Sequence, residues 1–178
     1  IYKEKLRVRS YGKPGAHDEV FVELKKKYDG VVYKRRIAMP QDEATDFIAG
    51  DEVSAAPCQI REEIDYFRRH YETLRPAVFL SYEREAYYSK DNSDFRVTFD
   101  ENILARRQEL TLGAGIWGTP LLGKGEVLME IKTSGGFPLW MTEFLSCERV
   151  YKTSFSKYGE AYIDLVLHHK DERGLMYA

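Results

Sequence analysis

Val20-Phe21-Val22-Glu23-Leu24-Lys25-Lys26-Lys27-Tyr28-Asp29-Gly30-Val31-Val32-Tyr33-Lys34-Arg35-Arg36 reads as two strands joined by a tight turn. Side chains of a strand alternate between two faces. Val20, Val22 and Leu24 therefore share one face, and Glu23, Lys25 and Lys27 share the other. Asp29-Gly30 is the dipeptide a two-residue hairpin requires. Beyond it, Val32, Lys34 and Arg36 lie on one face, with Val31, Tyr33 and Ile37 opposite. One side of this hairpin is apolar and the other is cationic.

The same alternation recurs on both sides of the hairpin. In Tyr2–Arg9, Lys5, Arg7 and Arg9 oppose Leu6 and Val8, before a turn at Gly12-Lys13-Pro14-Gly15. Downstream, Gln41–Ala49 reads as a short helix closed by Gly50. Pro57 suits a first helical turn, and Ile60, Ile64, Phe67, Tyr71 and Leu74 recur at helical spacing up to Pro76. Strands then resume. Val78, Leu80, Tyr82 and Arg84 share a face opposite Glu83 and Glu85, and Asp91-Asn92-Ser93 is a turn. Phe95, Val97 and Phe99 oppose Arg96, Thr98 and Asp100. Glu109–Leu112 reads as a strand and 113–125 as a glycine-rich connection. In Val127–Lys132, Val127, Met129 and Ile131 oppose Glu130 and Lys132. Leu139–Glu148 and Lys157–Leu167 read as amphipathic helices with Phe144, Leu145, Tyr162 and Leu165 as core contacts. With no repeat or linker, residues 1–178 read as a single α+β domain.

The charge on the strands is sorted by sign. Their polar faces carry Lys5, Arg7, Arg9, Lys25, Lys27, Lys34, Arg36, Arg84, Arg96 and Lys132, while acidic residues cluster elsewhere, as at Asp42-Glu43, Glu62-Glu63 and Glu83–Glu85. On an ordinary antiparallel sheet such side chains are the solvated face. Gathered on one curved sheet or barrel they repel, by roughly 3 kcal/mol for a pair about 6 Å apart at an effective dielectric near 20. A bound polyanion offsets that cost, since Arg suits bidentate phosphate contact and Lys adds a compact charge. Glu23, Asp100 and Glu130 share these faces. Each is an ion-pair partner or a carboxylate holding a divalent metal beside phosphate oxygens, with Glu130 the best candidate.

Composition sets further bounds. The net charge is −2, so an anion site comes from placement of charge rather than excess, and nucleic acid is not an expected partner. A hydrophobic content of 43% argues against disorder. There is no membrane-length apolar run and no secretory signal pattern, so the expected location is cytoplasmic. Cys58 and Cys147 form no CxxC pair and read as buried free thiols. The first residue, Ile1, falls inside a strand pattern, so an N-terminal segment is expected to be missing. Gly113-Ala114-Gly115-Ile116-Trp117-Gly118 opens no βαβ unit, Gly123-Lys124-Gly125 lacks the P-loop context, and His168-His169 lacks metal-ligand spacing.

Seven segments in this order resemble the VTC (vacuolar transporter chaperone) domain, the polyphosphate polymerase branch of the CYTH-like triphosphate tunnel superfamily. They are Lys5-Leu6-Arg7-Val8-Arg9, Glu23–Lys27, Val32–Arg36, Ser81-Tyr82-Glu83-Arg84, Arg96–Asp100, Leu128–Lys132 and Phe155-Ser156-Lys157-Tyr158. The resemblance implies an antiparallel β-barrel or tunnel flanked by helices. It implies that Arg7, Arg9, Lys25, Lys34, Arg84, Arg96 and Lys157 grip a triphosphate or polyphosphate, that Tyr82 and Ser156 add hydroxyl contacts, and that Glu130 binds metal. Lys5, Lys27, Arg36 and Lys132 join the substrate-binding set through the strand pattern. The implied reaction moves the γ-phosphate of ATP onto a polyphosphate chain with Mn²⁺ or Mg²⁺. An inorganic or nucleoside triphosphatase is one alternative. Ser154, where the family often carries a basic residue, motivates another: a non-catalytic module binding polyphosphate or inositol polyphosphate.

Overall fold

The structure, a computed structural model, describes residues 2–51, 58–91 and 94–167, the side chain of 166 excepted. Pro57, Asn92, Ser93, His168 and His169 lie outside the described residues. The chain divides into two compact units: Ile1–Ala77 with Leu110–Gly115, and Val78–Glu109 with Ile116–Ala178.

The first unit holds strands β1 (Lys3–Arg9), β2 (Glu19–Tyr28) and β3 (Val31–Pro40), then helices α1 (Gln41–Ala49) and α2 (Gln59–His70). The strands form an antiparallel sheet in the order β1-β2-β3. Asp29 and Gly30 both have positive φ, 46° and 82°, as their hairpin demands. Leu6 pairs with Leu24, Val8 with Val22, and Val22 with Ile37, so these residues form one apolar face. Ala44 and Phe47 of α1 and Ile64 and Phe67 of α2 pack with it as the core. Gly50 ends α1 in the left-handed conformation, φ 106°. Helix α2 stops at His70, before the predicted end at Pro76. Tyr71 leaves helical geometry at ψ 78°, and Leu74 packs on the core from the following turn.

The second unit holds β4 (Phe79–Tyr88), β5 (Arg96–Arg106), β6 (Thr119–Pro120) and β7 (Leu128–Lys132), with helices α3 (Leu139–Cys147) and α4 (Lys157–Tyr162). Strand β5 is central, pairing antiparallel with β4, β6 and β7. Between the Ser81–Leu104 and Glu83–Glu101 pairs, β4 advances two residues and β5 three. The extra residue is accommodated at Asn102, φ 49°, a β-bulge that reverses the alternation of β5. Leu80 and Ala105 consequently share a face with Arg84 and Asp100. Ala161 and Leu165 pack on the apolar end of that face with Val78, Leu80 and Leu121. On the opposite face, Val97, Phe99, Met129 and Ile131 pack with Met141 and Leu145 of α3.

Several sequence expectations are corrected. Among the described residues there are two open antiparallel sheets and no closed barrel. Residues 109–112 are not a strand: Glu109 has φ 46°, and a 3₁₀ turn covers Leu112–Ala114. The Arg106 guanidinium, buried over the Phe79 ring, donates to the Gln108, Glu109 and Trp117 carbonyls and ties this connection in a turn. Phe144 and Tyr162 are exposed rather than core residues. Helix α3 buries Met141 instead, and the π-helical turn Ile163–Leu167 shifts the phase of the last helix. Cys58 and Cys147 are exposed, one capping the start of α2 and the other ending α3. No described helix is long and apolar enough to cross a membrane.

Candidate functional site

Cross-strand registry in the first unit builds a cationic surface opposite its core. Lys5 stands beside Lys25, and Lys25 beside Lys34; Arg7 stands beside Glu23, and Glu23 beside Arg36; Lys3 stands beside Lys27. Arg9 continues the same face of β1. All seven sequence-predicted cations of this unit (Lys5, Arg7, Arg9, Lys25, Lys27, Lys34 and Arg36) therefore share one surface.

Glu23 organises it. Its side chain is only 2% exposed, and four cations converge on its carboxylate. Arg7 pairs through both Nε and its terminal nitrogen. Arg9, Lys34 and Arg36 approach to 3.7, 3.3 and 3.8 Å. Burial alone would raise the Glu23 pKa, but the Arg7 hydrogen bond and the charges of Arg7, Arg9 and Lys34 outweigh it and hold the carboxyl below its ordinary range. One carboxylate does not neutralise four cations, so the surface retains positive charge. Desolvation lowers the Lys5 pKa, and repulsion from Arg7 and Lys25 adds to the shift.

Tyr11 extends this face and was missed in the sequence. The Arg9 and Arg36 guanidiniums favour its ionised form and lower its pKa. Its ring packs edge-on against Phe21, and the Arg36 guanidinium lies 3.5 Å from the Phe21 ring centroid. The available signal was parity, since Tyr11 continues the series Lys5, Arg7, Arg9.

In the second unit the centre is Asp100, with no side-chain exposure. Arg84 holds both of its oxygens, Nε to Oδ1 at 2.5 Å and the terminal nitrogen to Oδ2 at 2.7 Å. Lys157, the first residue of α4, donates to Oδ2 at 2.5 Å. Both cations sit over the Tyr82 ring, at 5.1 and 4.8 Å. Burial opposes ionisation of Asp100, yet the hydrogen bonds from Arg84 and Lys157 prevail and lower its pKa. Ser156 Oγ accepts from the Gly159 amide at 3.2 Å, capping α4. The cap uses an acceptor lone pair of the hydroxyl and not its O–H.

Glu130 lies on the same face, in register with Thr98. Lys132 approaches Oε1 to 3.0 Å and Arg84 approaches Oε2 to 3.8 Å. Burial pushes its pKa up, while the Lys132 hydrogen bond and the charges of Lys132, Arg84 and Lys157 bring it below the ordinary value. Arg96 stands between Tyr88 and Lys132 in register. Tyr82, Arg84, Arg96, Glu130, Lys132 and Lys157 are thus assembled on one surface.

Metal chemistry separates the three carboxylates. Glu23 and Asp100 are enclosed by their own cations, whereas the Glu130 side chain is 43% exposed. No group of three or more His, Cys, Asp or Glu side chains converges among the described residues. The donor set fits a Mg²⁺-like ion held by one carboxylate and completed by phosphate oxygens and water, rather than an all-protein cage. A cleft of about 440 Å³ between the first sheet and α2, lined by Leu24, Lys26, Tyr33, Arg35, Glu63 and Tyr66, is on the opposite side of the sheet from the cationic surface. Arg35 and Glu63 pair across it at 2.9 Å.

The depressed carboxyls carry a stability prediction. Glu23 and Asp100 bind protons more weakly folded than unfolded, so their contribution is present above the ordinary carboxyl pKa and is lost as pH falls through the folded values. Urea unfolding is expected to give a flat stability between about pH 6 and 7 and a steep loss below about pH 4. A stability that rises on acidification would contradict this account.

Comparison with curated proteins finds no match to the chain. The family model of the VTC domain matches residues 1–166, a span that contains both cationic surfaces. By that match the chain belongs to the VTC domain family.

Proposed function

We propose that this domain is a metal-dependent polyphosphate polymerase that holds phosphate groups of its substrates on the cationic face of each sheet. Membership of the VTC family relates it to polyphosphate polymerases. The observation that carries the reading is charge sorted by sign: each sheet presents cations around a buried carboxylate that leaves them in excess.

In the proposed reaction a terminal phosphate oxygen of the polymer forms a bond to the γ-phosphorus of ATP. The bond from that phosphorus to the β–γ bridging oxygen breaks, and ADP leaves with the electron pair. Phosphoryl transfer of this kind depends on positioning and charge stabilisation, which fixed Arg and Lys side chains supply without a covalent nucleophile. Arg7, Arg9, Lys25, Arg84 and Arg96 stabilise the charge of the transferring group. Lys5, Lys27, Lys34, Arg36, Lys132 and Lys157 hold the flanking phosphates, with hydroxyl contacts from Tyr82 and Ser156. A Mn²⁺ or Mg²⁺ ion held by Glu130 and phosphate oxygens would neutralise further charge.

Incubation with ATP and Mn²⁺, followed by gel separation, is expected to yield a ladder of long polyphosphate. Release of free phosphate without chain growth would replace this reading with a triphosphatase. Tight, salt-sensitive binding of polyphosphate or inositol polyphosphate without turnover would replace it with a binding module.

A further inference from the structure

The cleft behind the first sheet lies wholly within the first unit and belongs to neither cationic surface. Its sheet wall follows from strand parity. Lys26 is in register with Tyr33, and Leu24 with Arg35, on the face that packs with α2. Leu24 is fully buried and supplies an apolar floor. The helix wall carries Glu62 and Tyr66 one turn apart, with Glu63 between them. A volume of about 440 Å³ is that of a ligand-sized pocket.

The polar groups of the lining fall into two sets. Arg35 and Glu63 pair at 2.9 Å, and Gln59 donates to the other Glu63 oxygen at 3.0 Å. These three are satisfied within the wall. Among the described residues, by contrast, the Lys26 ammonium and the Glu62 carboxylate make no ion pair, and the Tyr33 and Tyr66 hydroxyls make no hydrogen bond. Both rings are open to solvent, Tyr33 at 55% and Tyr66 at 65%.

This lining discriminates between occupants. It disfavours phosphate ligands, because Glu62 and Glu63 balance Lys26 and Arg35, and Glu62 is uncompensated. An amphipathic helix needs an apolar groove, and Leu24 is the one aliphatic side chain among the described lining residues. A polyproline II segment fits. It has no internal hydrogen bonds, so its carbonyls need donors, which Lys26 and two tyrosine hydroxyls supply. Its prolines pack on aromatic rings, and its stiffness keeps the entropic cost of binding low. Glu62 then receives a basic residue.

We infer that this cleft docks a proline-rich, extended segment of a partner polypeptide, with its pyrrolidine rings on Tyr33 and Tyr66 and an Arg or Lys against Glu62. The site is separate from the phosphate chemistry proposed above and stands without it.

Fluorescence anisotropy of the purified chain with a labelled polyproline peptide flanked by arginines tests it. Saturable binding is expected. Tyr33→Ala and Tyr66→Ala are each expected to weaken it about tenfold, the loss of one anchoring ring. Both rings are more than half exposed, so these substitutions leave the core in place. Glu62→Gln is expected to weaken the arginine-flanked peptide about threefold and to leave a glutamine-flanked one unchanged. Absence of saturable binding overturns the inference. So does equal binding of an arginine-flanked Gly-Ser peptide, which would reduce the cleft to a charge contact. Unchanged affinity in both tyrosine variants would place the peptide elsewhere and overturn it as well.

Discussion

Replacing Asp100 with Ala is expected to destabilise the second unit by about 3 kcal/mol, measured by urea unfolding at pH 7. The carboxylate is fully buried on the central strand and receives hydrogen bonds from Arg84 and Lys157. Its removal leaves two like charges facing each other over the Tyr82 ring. Breaking a buried pair typically costs about 3–5 kcal/mol. The lower end applies here because the Arg84 and Lys157 side chains are 30% and 18% exposed and partly rehydrate. The corresponding drop in melting temperature is about 6–12 °C for a chain of this size. Lys157 also leads α4, so the loss should extend to that helix. A double-mutant cycle with Lys157→Met isolates the pair, with an expected coupling of about 1–3 kcal/mol. An Asp100→Ala chain within about 0.5 kcal/mol of the parent, the range of an ordinary surface substitution, would show that the cluster does not hold the fold.

Replacing Glu130 with Gln is expected to lower polyphosphate formation by about 10²-fold or more while changing triphosphate affinity only a few-fold. Glu130 keeps a negative charge on a cationic surface, and its neighbours Lys132 and Arg84 hold it ionised. Gln preserves its shape and leaves every cation in place. Anion binding therefore survives, because the change removes negative charge. A divalent ion held there, as proposed, would lose Glu130, the exposed carboxylate assigned to it. The discriminating measurement is the pair of values, turnover with saturating Mn²⁺ and affinity for triphosphate without metal. Near-parental turnover in Glu130→Gln would remove Glu130 from the metal role, and equal losses in both values would reassign it to maintaining the surface.

The two candidate surfaces were legible in unequal degree. Seven cations of the β1–β2–β3 face were read and Lys3, beside Lys27, was missed; the seven were readable because the strands alternate without interruption and the Asp29-Gly30 turn sets the pairing of β2 with β3. The second face was readable for Arg84, Arg96, Glu130 and Lys132, whereas the bulge at Asn102 was not. An Asn can occupy the left-handed region, but nothing local requires it to do so. The predicted strand at 109–112 failed because Arg106 turns the connection with bonds to three carbonyls, a tertiary effect without a periodic trace.

Alternation along a strand is imposed by the geometry of each Cα, so wherever no bulge intervenes the sequence alone determined which residues share a face and that those faces divide into apolar and cationic. It also determined the helix α1, its glycine stop and the hairpin before it, since these depend on residues within a few positions. Only the tertiary structure decided which carboxylates are buried and which remains open. Glu23 meets Arg7 across 16 positions, and Asp100 meets Lys157 across 57. Burial depends on the summed packing of such distant segments, and no local pattern encodes the sum.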